Sequence, residues 1–147
     1  MNTIFCIDNS ATIRKVVQDC VLDLGYEFKE AENGKAGLEK IVSEPDLKMV
    51  VLDWNMPVMS GRETLMKLRS LEATKDVIIL ILIKIENKDQ VMEAISLGAT
   101  NYMLKPFSVN NLQNKILPFN SGVFCYNGKG VMNSIDLDGG GGEVSKR

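Results

Sequence analysis

Two textures alternate along this chain: short unbroken apolar runs, and longer stretches in which apolar residues recur every third or fourth position. The first run, residues 4–7, ends at Asp8-Asn9-Ser10, after which Ile13, Val16, Val17, Cys20, Val21 and Leu24 follow at helical spacing until Gly25. Such a change of period predicts a strand followed by a helix. Residues 27–31 form a weaker run, and Asn33-Gly34 then opens a helix with Ala36, Leu38, Ile41 and Val42 on its apolar face before Pro45. In the third run, residues 49–52 lead without polar interruption into Asp53, and Pro57 prevents the strand from continuing. Ser60-Gly61 begins the next helix, which carries Leu65, Leu68 and Leu71. Residues 77–83 are the most apolar stretch, too short for a membrane and rich in β-branched residues, so they predict a central strand buried on both faces. A helix from about residue 87 is expected to bury Val91, Met92, Ile95 and Leu97 and to end at Gly98. Residues 101–104 predict a fifth strand, Lys105-Pro106-Phe107 a turn, and Ser108 the cap of a last helix through Leu112, Ile116 and Leu117 that Pro118 cuts short.

Strands and helices in strict alternation argue for an α/β domain with a doubly wound, five-stranded parallel sheet and helices on both faces. The expected domain spans residues 1–119. Residues 120–147 are glycine-rich and read as a tail, with a type I′ turn signal at Asn127-Gly128 compatible with a short hairpin and disorder expected after Asp138.

With 45% hydrophobic residues in a chain of 147, one domain can build a core. Lys and Arg number 17 against 19 Asp and Glu, a net charge of −2, which gives no electrostatic footprint for nucleic acid or an anionic membrane. Cys6, Cys20 and Cys125 lie too far apart in sequence for a metal pair and are odd in number, which favours a reducing compartment. The first residues lack a basic segment and a long apolar one, so no signal peptide or membrane span is expected and a cytoplasmic location is. There is no histidine. Imidazole metal sites and histidine-based triads are therefore excluded, any metal must be a hard cation on oxygen ligands, and any phosphohistidine in the chemistry must belong to another protein.

In a parallel sheet of this kind the carboxyl ends of the strands share one edge, where ligands bind. That edge is expected to gather Asp8, Asn9, Asp53, Ile83 and Lys105. Two acids in one crevice repel unless a divalent cation, magnesium (Mg2+) being the obvious one, or the Lys105 ammonium neutralises them. The same charges would suit a phosphoryl group, with Asp53 as nucleophile.

On the motifs Asp8-Asn9-Ser10-Ala11-Thr12-Ile13-Arg14, Asp53-Trp54-Asn55-Met56-Pro57, Ser60-Gly61, Gly98-Ala99 and Lys105-Pro106-Phe107, residues 2–117 resemble the receiver domain of two-component response regulators, the single-domain chemotaxis type most of all. The resemblance implies a flavodoxin-like fold. It implies that Asp53 is the phosphoacceptor for a partner histidine kinase or phosphotransfer protein, that Asp8, Asn9, Asp53 and the Asn55 backbone carbonyl hold Mg2+, and that Lys105 contacts the phosphoryl group. It further implies that Tyr102 is the aromatic switch residue and that the fourth helix, fifth strand and fifth helix form the face for a downstream protein. Catalysis is then limited to self-phosphorylation and autodephosphorylation at Asp53.

Two positions depart from the family pattern. Asn9 stands where the family usually has a second acid, which removes a full charge and weakens the expected attraction for Mg2+. Ile83 stands where it has a threonine or serine, so no hydroxyl is available to a phosphoryl oxygen, and the β-branched side chain fills space that the Tyr102 ring would need to turn inward. These departures motivate a second reading, an atypical pseudo-receiver that binds proteins independently of phosphorylation. A flavin-binding protein of the same fold is disfavoured, because Asp8 and Asn9 replace the phosphate-cradling loop it would need. Trp54, next to Asp53, is expected to be partly exposed.

Overall fold

Strand parity sorts the core of this protein. The structure, a computed structural model, describes residues 2–120 and two short strands beyond them. The five apolar runs form β1 (Thr3–Ile7), β2 (Glu27–Ala31), β3 (Leu47–Asp53), β4 (Ile78–Lys84) and β5 (Asn101–Lys105), all parallel and ordered β2-β1-β3-β4-β5. Alternate side chains along each strand face opposite sides. Ile4, Cys6, Met49, Val51, Leu80, Leu82 and Met103 pack under α1 (Ala11–Asp23) and α5 (Val109–Asn120), while Phe5, Ile7, Val50, Leu52, Ile79, Ile81 and Ile83 pack under α2 (Gly34–Ile41), α3 (Gly61–Ser70) and α4 (Val91–Ser96). The predicted α/β architecture is the one observed.

The chain leaves β1 for β2 on one side and then returns to β3 on the other, so the strand order reverses between β1 and β3. A crevice opens there at the strand ends, and Asp8 and Asp53 stand at its two walls. Helix starts are fixed locally. Ser10 accepts from the Ile13 N–H, Asn33 from the Ala36 N–H, and Ser60 with Glu63 makes a reciprocal capping box. Gly98, at φ +115°, closes α4 in a backbone conformation that side chains disfavour.

Several local expectations need correction. β3 starts at Leu47, and Val77 lies outside β4 because its N–H turns back to the Thr74 carbonyl. The fourth helix does not begin at residue 87. Ile85–Gln90 is a 3-10 segment broken at Asn87 (φ −111°, ψ 25°), and only Val91–Ser96 is α-helical. The polar run Glu86-Asn87-Lys88-Asp89 buries no side chain that would anchor a regular turn, and neither Lys84 nor Gln90 caps by a side-chain bond. Val42, Met92 and Leu117, assigned to apolar faces, are exposed, each lying beside the true core residue of its turn. Pro118 does not stop α5, which runs to Asn120; its missing N–H costs one bond in the last turn.

Beyond α5, β6 (Cys125–Tyr126) pairs antiparallel with β7 (Val131–Met132) on either side of Asn127-Gly128. The turn itself and the rest of the expected tail lie outside the described residues. Among the described residues no helix is long and apolar enough to cross a membrane.

Candidate functional site

β1 delivers Asp8 to the sheet edge, β3 delivers Asp53, and β5 ends on Lys105, whose peptide bond to Pro106 is cis. Asp53 and Lys105 continue the strand parity of Val51 and Met103, and with Asp8 they meet on the α1–α5 side. Lys105 Nζ donates to Asp8 Oδ2 at 2.9 Å and to Asp53 Oδ1 at 3.2 Å. The side chains of Asp8, Asp53 and Lys105 are 0%, 4% and 13% exposed. Two acids thus share one base, and the site is short of positive charge by one.

The imbalance is visible in the protonation behaviour. Burial, then the charge of Asp8, push the Asp53 carboxyl up to about 6, against the Lys105 ammonium and the Asn55 N–H, which pull it down. For Lys105, burial alone would lower the pKa, but the bonds and charges of Asp8 and Asp53 outweigh it and hold the ammonium above the ordinary lysine value.

Asp8 is fixed from several directions. Its Oδ1 accepts the Ser10 N–H at 2.8 Å, its own N–H is bonded to the Ala31 carbonyl at 3.1 Å, and its carbonyl accepts from Arg14 Nη1 at 2.7 Å. Asn9 is exposed beside it and is not the helix cap, a role taken by Ser10. Asn55 is also exposed; its N–H bonds Asp53 and its Oδ1 accepts from Asn87 Nδ2 at 3.4 Å.

Ile83 does not join these side chains. Its position in β4 turns it to the other face, where it is fully buried in the core under α2, α3 and α4. Tyr102 packs half-buried against the same cluster, with Lys115 Nζ 5.1 Å from its ring centroid. Trp54, expected to be partly exposed, is 4% exposed: its N–H bonds the Leu82 carbonyl, extending the ladder past Asp53, and its ring enters the same core.

Two contributions were not assigned from sequence. Gly61 lies so close to the Asp53 carbonyl and the Trp54 backbone that a Cβ would overlap them, so glycine there lets α3 start directly behind the acid. Arg14 sits inside a quoted motif and reaches Asp8 across one turn, but its second acceptor, Glu30, is brought to it by the pairing of β1 with β2, which spacing alone does not give.

Two buried carboxylates in need of positive charge suit a hard divalent cation, and Asn9 and Asn55 are exposed in the loops that follow Asp8 and Asp53. Among the described residues no cluster of three or more His, Cys, Asp and Glu side chains assembles, so such a cation would rest on two formal charges.

Residues 4–117 match the model of the response regulator receiver domain. The chain is 35% identical over 111 residues to the chemotaxis protein CheY1 of Helicobacter pylori, covering 75% of this chain and 90% of that protein. Its structure is similar to chemotaxis response regulator CheY4 of Vibrio cholerae, with TM-score 0.70, 30% identity and coverage of 80% of this chain and 97% of the other. A receiver domain of a sensor histidine kinase from Pseudomonas aeruginosa, which has a magnesium ion coordinated in its active site cleft, shares the fold at TM-score 0.73 and 18% identity, over 82% of this chain and 98% of that one.

Proposed function

Since the chain belongs to the response regulator receiver family, we propose that it is a cytoplasmic phosphorelay receiver that takes a phosphoryl group onto Asp53 from a histidine kinase or phosphotransfer protein. The observation that carries this reading is the single Lys105 ammonium held between two buried carboxylates at the sheet edge. In the transfer an Asp53 carboxylate oxygen bonds to phosphorus as the phosphorus–nitrogen bond of the donor phosphohistidine breaks, and the imidazole keeps that electron pair. On this reading Lys105 donates to the phosphoryl oxygens as their charge shifts. With a carboxyl pKa near 6, Asp53 is mostly ionised, and so nucleophilic, at pH 7.

Asp8, Asp53, the Asn55 backbone carbonyl and the Asn9 amide oxygen would hold Mg2+, which would supply the missing positive charge opposite the phosphoryl oxygens. Asn9 contributes no charge, and its effect is a weakened affinity. Output then passes to a downstream protein through the face built from α4, β5 and α5. The chemistry is confined to gain and loss of phosphate at Asp53. The test is incubation with a phosphorylated kinase or phosphotransfer protein: label on the wild type and none on Asp53→Asn is expected, and a wild type that stays unlabelled at any Mg2+ concentration overturns the reading.

Ile83 favours a second reading, in which phosphate and output are uncoupled. It offers no hydrogen bond, is fully buried, and shares a core layer with Tyr102. On that reading the α4–β5–α5 face binds its partner equally with and without phosphate on Asp53.

A further inference from the structure

Asp8 carries the full formal charge of its strand end, because Asn9 beside it is neutral. Its orientation therefore matters more here than it would beside a second acid. The group that grips its backbone is Arg14, one turn into α1, with a side chain only 18% exposed. Arg14 Nη1 donates to the Asp8 carbonyl at 2.7 Å while Nε donates to Glu30 Oε1 at 2.7 Å. Glu30 lies in β2, directly paired with Cys6 of β1. A closed ring of bonds results: Asp8 Oδ1 takes the Ser10 N–H, the Ser10 carbonyl takes the Arg14 N–H at 3.0 Å, and the Arg14 side chain returns to the Asp8 carbonyl.

We infer that Arg14 is a positioning residue for Asp8, and that Glu30 sets the angle of the guanidinium that does it. The planar fork is what the geometry uses, since one group must satisfy a carbonyl and a carboxylate in fixed directions at once. Arg14 touches no reacting atom. Its effect reaches the site through the turn that aims the Asp8 carboxylate at Lys105. Glu30 also neutralises a positive charge that would otherwise oppose cation binding nearby. The inference rests on the phosphoacceptor reading for its purpose, but not for its test.

The experiment compares wild type, Arg14→Lys, Arg14→Met and Glu30→Gln by hydrogen exchange at the Ser10 amide and by Mg2+ affinity, followed through Trp54 emission. Loss of an outer group that orients a ligand weakens metal binding about tenfold or more. Both Arg14 variants are expected to bind Mg2+ that much more weakly and to exchange the Ser10 amide faster, with Arg14→Lys no better than Arg14→Met. Glu30→Gln should shift both readouts in the same direction by less. An Arg14→Lys variant that behaves as wild type overturns the inference, because charge alone would then suffice. So does an Arg14→Met variant that binds Mg2+ more tightly, the simple result of deleting a cation. Unchanged Ser10 exchange overturns it as well, and Glu30→Gln decides by that readout should the Arg14 variants not fold. A wild type that takes no label on Asp53 sinks the receiver reading while leaving these comparisons standing.

Discussion

Asp53→Asn should make the protein more stable, and the amount can be worked from the site. The Asp53 carboxyl ionises at about 6 in the folded protein against an ordinary 3.8. Each pKa unit is worth about 1.36 kcal/mol, so keeping this group ionised at neutral pH costs the fold roughly 3 kcal/mol. Asparagine removes the charge but also the charged acceptor of the Lys105 bond, which returns about 1 kcal/mol or more of the gain. A net stabilisation of about 1–2 kcal/mol at pH 7.5 is expected in the absence of Mg2+. The sign with pH follows from which state binds more protons. Between 3.8 and 6 the folded chain keeps the Asp53 proton and the unfolded chain does not, so this group's cost grows as pH rises through that window and is constant above it. At pH 4 the folded chain holds the proton and the unfolded chain is about half protonated, so most of the advantage of Asp53→Asn should be gone. Urea unfolding of both proteins at pH 4 and pH 7.5, followed by the emission of buried Trp54, measures the difference. A variant less stable than wild type at pH 7.5, or equally favoured at both pH values, would refute the account of the site as short of positive charge.

Three further substitutions test other parts of the structure. Val58 is 76% exposed at φ +69° in a three-residue turn closed by a 2.7 Å bond from the Met59 N–H to the Pro57 carbonyl, so Val58→Gly should raise stability by about 1 kcal/mol in thermal unfolding. Arg69 donates to the carbonyls of Gly98, Thr74, Lys75 and Val77 and to the Thr100 hydroxyl, tying α3 to the far ends of β4 and β5; Arg69→Met should destabilise by about 3 kcal/mol or more, read by urea midpoint. Ile83→Thr should lose about 2 kcal/mol through a cavity and a buried hydroxyl, yet it should let beryllofluoride, a phosphate mimic, alter the Tyr102 ring resonances, which stay unchanged in wild type.

The strands and the acid–base trio were legible because each rests on a local signal. An apolar run of 5–7 residues buried on both faces, as in β4, has few other places to go; Asp8 and Asp53 follow or end such runs, while Lys105 ends the shorter, half-buried run of β5. Trp54 was misjudged because its burial is decided by a partner strand: Leu82 captures its N–H and carries the ladder one residue past Asp53. The start of α4 failed for the opposite reason. Residues 86–89 bury no side chain and carry no cap, so helical spacing further along says nothing about where the first turn forms. Arg14 needed the β1–β2 register before its fork had two acceptors to join.

The same parity that builds the core also sets the acid–base trio and the Ile83–Tyr102 pair on opposite faces of the sheet. Asp8, Asp53 and Lys105 point toward the α1–α5 layer, whereas Ile83 and Tyr102 belong to the layer under α2, α3 and α4. Any message from a phosphoryl group on Asp53 to the α4–β5–α5 face must therefore cross the sheet edge. A hydroxyl at position 83 would make that crossing by hydrogen bonding; a fully buried isoleucine can only transmit it by moving against a packed core, which resists small displacements. A side-chain bond from Asn87 to Asn55 reaches from the acid's loop toward α4, long at 3.4 Å and seated at the break in the 3-10 segment. On the proposed reading phosphorylation and signalling are therefore separable: the first would depend on the trio of charges, the second on the shape of the core around Ile83.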